Sequence, residues 1–349
     1  MRRYWMVLAV VALALALAVP ALARKKGKEE QKDAENKKIE ELIQEGEYQK
    51  ALDLAKKFIE AGQVTEGLYI DMGVAYFNLK QYEEAIKAYE EAYKLNMFGT
   101  QALLYEATCY HEMGQDEKVA EVYEKVLGIE PTNTQVRYDL AQLYEKLKKL
   151  DQAMAQYTEI YNVTPDFKDV AYAMAVILHN KGEMEKAEPY FEKAVSLAPA
   201  NEDILLAQGQ NFLKEKKYEL AVAPLAKYLE VAKNEPLKPA VMRQIAGAYT
   251  KAAGAVKVDK KTMKPEELKA AQDKQGELYT SAITFYDKLL VVRPNNDEAL
   301  EGKANALIQL GRNAEAVAVL KQFLQTSKNE PEKKKVAELV KQLESAKKG

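Results

Sequence analysis

Apolar residues recur along this chain in two alternating sets. In the first, a small residue is followed three positions later by a bulky one. The pairs are Gly73 and Tyr76, Ala107 and Tyr110, Ala141 and Tyr144, Ala175 and Leu178, Gly209 and Phe212, then Ala246 and Tyr249, Ala304 and Leu307. In the second, the bulky residue comes four positions later: Ala85 and Tyr89, Val119 and Tyr123, Ala153 and Tyr157, Ala187 and Phe191, Ala221 and Leu225, Ala282 and Tyr286, Ala316 and Leu320. Residues three or four apart share one face of a helix. Each set therefore predicts one helix per copy, and the two sets alternate. The second set starts weakly at Ala51 and Ala55, advances by 34 residues per copy to Ala221, and steps by 34 again from Ala282 to Ala316. An ordinary helical bundle shows a period near 3.6 but no such fixed long repeat. The pattern predicts stacked helical hairpins.

Punctuation agrees with this reading. Pro131, Pro165, Pro199 and Pro294 end second helices, because proline cannot continue a helix. Short turns join the two helices of a hairpin, with glycine or lysine at Gly46, Lys80, Gly114, Gly182 and Gly311. Small residues let two helix backbones approach, and the large side chain fills the space beside them.

Two places break the rhythm. After a first helix near Pro239–Ala253, the next second-helix alanine is delayed to Ala282. This predicts an insertion at about 255–277. Its end carries Pro265-Glu266-Glu267, a proline at a helix start with acids in the first turn. A second helix lengthened at its front, over Pro265–Val292, is expected. At the end, 331–349 predicts a capping helix with Val336, Leu339, Val340 and Leu343 on one stripe.

The N-terminus has a different character. Arg2 and Arg3 precede an apolar run from Trp5 to Val19, then Pro20 and Ala21-Leu22-Ala23. Those are the parts of a secretory signal peptide, 1–23, cleaved near Ala23. Residues 24–34 read as a polar linker. The alternative is an uncleaved membrane anchor, favoured by Arg24-Lys25-Lys26 directly after the apolar run.

The recurring positions together resemble the tetratricopeptide repeat family, here in an exported bacterial type. The resemblance extends over 35–330 as about eight units. The family's tryptophan is absent, and Tyr69, Leu103, Arg137, Ala171 and Leu205 occupy its place. The resemblance implies an all-α fold: a right-handed superhelical α-solenoid of helix-turn-helix repeats closed by the C-terminal helix. It also implies that first helices line a concave groove. In this register the groove is expected to carry Ile70, Val74 and Phe77; Leu104, Thr108 and His111; Tyr138, Gln142 and Glu145; Tyr172, Val176 and His179; Leu206, Gln210 and Leu213. An exposed strip of this kind suits a peptide or a docked helix. Family members that clamp acidic chaperone tails use paired asparagines, where this chain has Val74, Thr108, Gln142, Val176 and Gln210. Binding of that kind is disfavoured.

Candidate chemistry is sparse. His111-Glu112 opens like the zinc-protease motif, but Gln115 stands at the second ligand position. The other histidine is His179. The single cysteine, Cys109, rules out an internal disulfide and reads as a small buried hydrophobe. No phosphate loop, nucleophile elbow, dinucleotide fingerprint or calcium loop is present. A formal net charge of -2 provides no general basic field for nucleic acid. The expectation is a non-enzymatic scaffold of the cell envelope, periplasmic or otherwise exported. It needs no cofactor, no metal and no small-molecule substrate, and its partners are other proteins. Membrane contact is expected only if the N-terminal segment is retained, as in a membrane-anchored assembly factor. A further alternative is an exported enzyme or carbohydrate-binding module.

Overall fold

The computed structural model describes residues 37–345, residue 234 excepted. The expected signal peptide and linker lie outside the described residues. Among the described residues the chain is helical throughout, with no strand. It divides into two compact units, one up to Ile160 and one from Tyr161 onward.

The first unit holds α1 (37–44), α2 (Tyr48–Glu60), α3 (Glu66–Asn78), α4 (Tyr82–Leu95), α5 (Gln101–Glu112), α6 (Asp116–Ile129), α7 (Thr134–Lys146) and most of α8 (Leu150–Val163). From α2 to α7 each helix packs on the next. The second unit holds α9 (Val170–Lys181), α10 (Met184–Leu197), α11 (Glu202–Lys214), α12 (Tyr218–Val231), a short 3-10 turn, α13 (Lys238–Ala255), α14 (Pro265–Val292), α15 (Asp297–Gln309), α16 (Asn313–Thr326) and α17 (Glu330–Ser345). Here too successive helices pack in order. The first helices α9 and α11 also touch each other, as do α13 and α15.

One backbone device ends the first helix of nearly every hairpin. Gly46, Lys80, Gly114, Lys148, Gly182, Lys216 and Gly311 all have positive φ, between 59° and 82°. A left-handed residue after the last turn lets the next amide reach back to an orphan carbonyl. Gln81, Gln115, Lys149, Glu183, Lys217 and Arg312 donate from their amides to the carbonyls of Tyr76, Tyr110, Tyr144, Leu178, Phe212 and Leu307. Those carbonyls belong to the bulky residues of the first apolar set. Capping side chains open several first helices. Thr65, Asn133, Asn201 and Asn296 accept from amides two or three residues on, each stabilising its helix by about 1 kcal/mol.

The paired apolar sets meet in the core. Ala85, Ala153, Ala187, Ala221, Ala282 and Ala316 are fully buried. The fit is tight at Gly73, where an added Cβ would lie 2.3 Å from the Tyr89 ring, and at Gly209, where it would lie 2.5 Å from Leu225. The ring of Tyr89 stacks in turn on Tyr105 of the next hairpin, at 5.4 Å between centroids.

The irregular hairpin lengthens both its helices. In α14, Leu278 and Tyr279 are the first buried residues, facing Ala252 and Ala253 of α13. One turn earlier, Gln275 Nε2 donates to the carbonyl of Ala253 at 3.0 Å. The front of α14, from Pro265 to Lys274, is mostly exposed. At the far end, α17 puts Val336 and Val340 against Leu320 and Phe323 of α16 and leaves its lysines outside.

Candidate functional site

In the first unit the expected groove residues are less open than the register suggests. Ile70 and Phe77 are half-buried against the Tyr89 core, and the Phe77 ring lies 5.5 Å from Tyr82. Leu104 is half-buried against the core that includes Leu103 and Val126. Val74 is half-buried, while Thr108, His111 and Gln142 are exposed. The hydroxyl of Thr108 is turned back onto its own helix, donating to Leu104 O at 2.9 Å.

Tyr138 corrects the sequence reading. It is only 6 % exposed and belongs to the core. Its ring meets Tyr157 edge-on at 6.1 Å. Gln142 Nε2 donates to its hydroxyl at 2.9 Å, and Tyr157 donates to Glu145 Oε1 at 2.5 Å. Two aromatic rings packed edge to face, with both hydroxyls satisfied, are more stable inside than displayed. Tyr138 and Glu145 thus serve the packing of α7 on α8.

The second unit gathers its expected residues differently. Tyr172, Val176 and His179 of α9 and Gln210 and Leu213 of α11 line one cavity of about 510 Å³. Leu206 is half-buried on the same helix, against the Leu205 core. Phe191 of α10 forms part of the cavity wall, and its ring stands edge-on to His179 at 6.3 Å. Burial, with Asp203 and Asp169 nearby, raises the Tyr172 hydroxyl above its ordinary pKa.

The sequence reading missed other lining residues. Asn180 and Lys214 flank predicted positions along their helices and form polar walls. Ala207 and Gln244 lie two residues before the small residues Gly209 and Ala246. That phase recurs, so extending the register by one more residue per copy would have found both. Two other hollows among the described residues lie at hairpin turns. One, near 400 Å³, is lined by Lys216, Tyr218, Leu220 and Lys274; another, near 590 Å³, surrounds the Gly182–Lys186 turn. The cavity between α9, α11 and α13 collects side chains from successive first helices.

A polar network supports its floor. Asn211, 1 % exposed, bonds His179 Nδ1 at 2.9 Å, Met184 O at 3.2 Å and Glu215 Oε1 at 2.5 Å. Lys217 bridges Glu215 and Glu188 at 2.7 and 2.5 Å. Burying an amide this deeply is tolerated because its hydrogen bonds are made. The network ties α9 to α11 and holds the His179 ring in place.

Reactive groups are few. Cys109 is fully buried, and burial together with Glu106 pushes its thiol up to about 12. It is therefore a protonated, inaccessible thiol at neutral pH, a poor nucleophile. Among the described residues no group of three or more histidines, cysteines or carboxylates is placed to hold a metal ion. No described helix is long and apolar enough to cross a membrane.

Hairpins of two helices, joined by left-handed turns and packed at a fixed 34-residue step, define a helical-repeat protein. Tetratricopeptide repeat signatures match residues 67–97, 117–177, 169–201 and 271–331, together just over half of the chain. The chain belongs to the tetratricopeptide repeat family. No curated protein matches it by sequence. Solved structures similar to it include YrrB, described as a TPR protein with an unusual peptide-binding site. It has 18 % identity and a TM-score of 0.44, over 53 % of this chain and 95 % of that one. MamA of AMB-1 has 22 % identity and a TM-score of 0.42, over 50 % of this chain and 96 % of that one.

Proposed function

We propose that this chain is a non-catalytic scaffold that captures a segment of another protein in the cavity of its second unit. One observation carries the reading. Five of the six residues that the repeat register assigns to this stretch of groove line a single cavity. Its walls combine apolar surface from Val176, Ala207 and Leu213 with polar groups from His179, Gln210 and Gln244. A concave hollow of this size that mixes apolar walls with placed polar groups suits a bound segment. The absence of a recognisable catalytic motif in the sequence supports a scaffold over an enzyme.

The reading places the scaffold in the cell envelope, on the strength of the signal-peptide pattern in 1–23. The basic Arg24-Lys25-Lys26 favours the second reading, in which the N-terminal segment stays as an anchor.

The test is capture by crosslinking in the native cell, followed by titration of the partner recovered. Val176→Arg with Leu213→Arg should fill the cavity and weaken binding at least about tenfold, ~1.4 kcal/mol. The helical signal should stay unchanged. Glu192→Ala, exposed on α10, should bind normally. Full affinity in the arginine pair would place the partner on another surface.

A further inference from the structure

The insertion at 255–277 does more than lengthen α14. Ala255, Val256 and Lys274 from it help to line the hollow of about 400 Å³ at the start of α12, together with Lys216, Tyr218 and Leu220. These walls are open to solvent. Leu220 is 53 % exposed, Tyr218 and Val256 are half-buried, and Lys216 and Lys274 are exposed. The Lys251 ammonium lies over the Tyr218 ring at 5.4 Å. Ahead of Gln275, which bonds Ala253 O, the front of α14 runs about 15 Å further. An insertion that takes no part in the stacking of a repeat array is free to serve binding.

The charge beside this hollow is one-sided. The loop that continues from Val256 carries Lys257, Lys260, Lys261 and Lys264 against one acid, Asp259. All four lysines are exposed. Neither they nor Lys216 have an ion-pair partner among the described residues. Asp259 is turned onto its own loop, accepting from Thr262 Oγ1 at 2.7 Å and from the Lys261 amide at 2.8 Å. The acids nearest the hollow are already engaged. Glu219 pairs with Lys274 at 2.9 Å, and Glu215 and Glu188 hold Lys217. Glu267, in the first turn of α14, accepts from the Lys264 amide at 3.2 Å. Positive charge gathered in this way is offset by an anionic partner. A flat bilayer surface would leave the hollow unfilled, and a lone phosphate would leave Leu220 and Val256 in water. A protein segment can fill the hollow and meet the lysines together. We infer that the hollow between the turn into α12 and the inserted segment docks an acidic segment of a partner protein. An apolar side chain of that segment packs on Leu220 and Val256, and its carboxylates meet Lys216 and the loop lysines. The hollow shares no lining residue with the cavity of Tyr172 and His179, so the inference stands apart from the groove reading.

The test is selection of random dodecapeptides displayed on phage against the full chain. A variant with Lys216→Asn, Lys257→Gln, Lys260→Gln and Lys261→Gln serves as counter-selection. Asparagine is chosen at 216 because the backbone there is left-handed, which asparagine tolerates. Peptides that bind only the unaltered chain should carry acids flanking an apolar residue. Synthetic copies should bind at least about tenfold more weakly to the lysine variant and to Leu220→Ser. Their binding should also weaken as salt rises, and Val176→Arg with Leu213→Arg in the other cavity should leave it unchanged. All the side chains replaced around this hollow are exposed, so thermal melts of those variants should match that of the unaltered chain. Lysine-dependent peptides without acids, or indifferent to Leu220→Ser, would overturn the inference. So would a selection that returns no lysine-dependent peptide. Lysine-dependent sedimentation with phosphatidylglycerol vesicles in that case would assign the loop to a lipid surface instead.

Discussion

Asp71 on α3 shows how one side chain can carry a cost that the repeat pattern hides. Burial, with Glu40 of α1 nearby, pushes its carboxyl from 3.8 up to about 6. Glu106, 5 % exposed on α5, is raised too, first by burial and then by Glu90, against the opposing effect of Lys125. A carboxyl whose pKa is raised by folding binds its proton more tightly in the folded chain. Its ionisation therefore opposes folding. The cost is absent below about pH 4, grows between there and about 6, and is complete above that range. Asp71→Asn should raise the melting temperature at pH 7.5, and the gain should vanish near pH 4. Thermal melts of both proteins across that range check the sign. An equal gain at pH 4 would show that the benefit comes from packing instead. The left-handed lysines tell a related story. Lys80, Lys148 and Lys216 hold the conformation that Gly114 and Gly182 hold at the same place in other hairpins. A side chain there costs roughly 1–2 kcal/mol, which the hairpin contacts offset.

At the scale of the element, each hairpin depends on a small residue meeting a bulky one. Ala153 of α8 is fully exposed to this constraint: it has no accessible surface, and Tyr157 one turn on is 1 % exposed. Ala153→Leu adds three carbons where no space exists, and should destabilise by roughly 1–3 kcal/mol. The same substitution at the exposed Glu159 of α8 should change stability by less than about 0.5 kcal/mol. Denaturant unfolding of the two variants decides this, and equal shifts would refute the packing register. The long helix α14 obeys the same rule. Its core contacts begin at Leu278, where the second-helix register resumes, and the turns before it sit on the surface.

At the scale of the whole molecule, each unit is built from contacts between neighbours in sequence, as a repeat protein requires. Function in such a protein is a matter of which surface each stack displays and where the protein is delivered. The proposed export makes a direct prediction. N-terminal sequencing of the protein from its native cell should find a chain beginning near Arg24, outside the cytoplasm. An intact Met1 in the membrane fraction would support the anchored alternative and overturn cleavage.

The helices, their ends and the step between hairpins were legible in the sequence alone. A 34-residue recurrence of small and bulky residues is a local signal, since each helix packs mainly on its neighbours in the chain. The same is true of α14, whose span Pro265–Val292 follows from a proline, two acids and the delayed Ala282. The candidate site was legible only in part. Register placed Tyr138 and Tyr172 in one class, because it counts positions and cannot weigh partners. In the folded chain Tyr138 meets Tyr157 and is buried, while Tyr172 lines an open cavity. The hydrogen bond between His179 and Asn211 was beyond any pattern along the chain. It joins residues 32 positions apart, and only the packing of α9 on α11 brings them together.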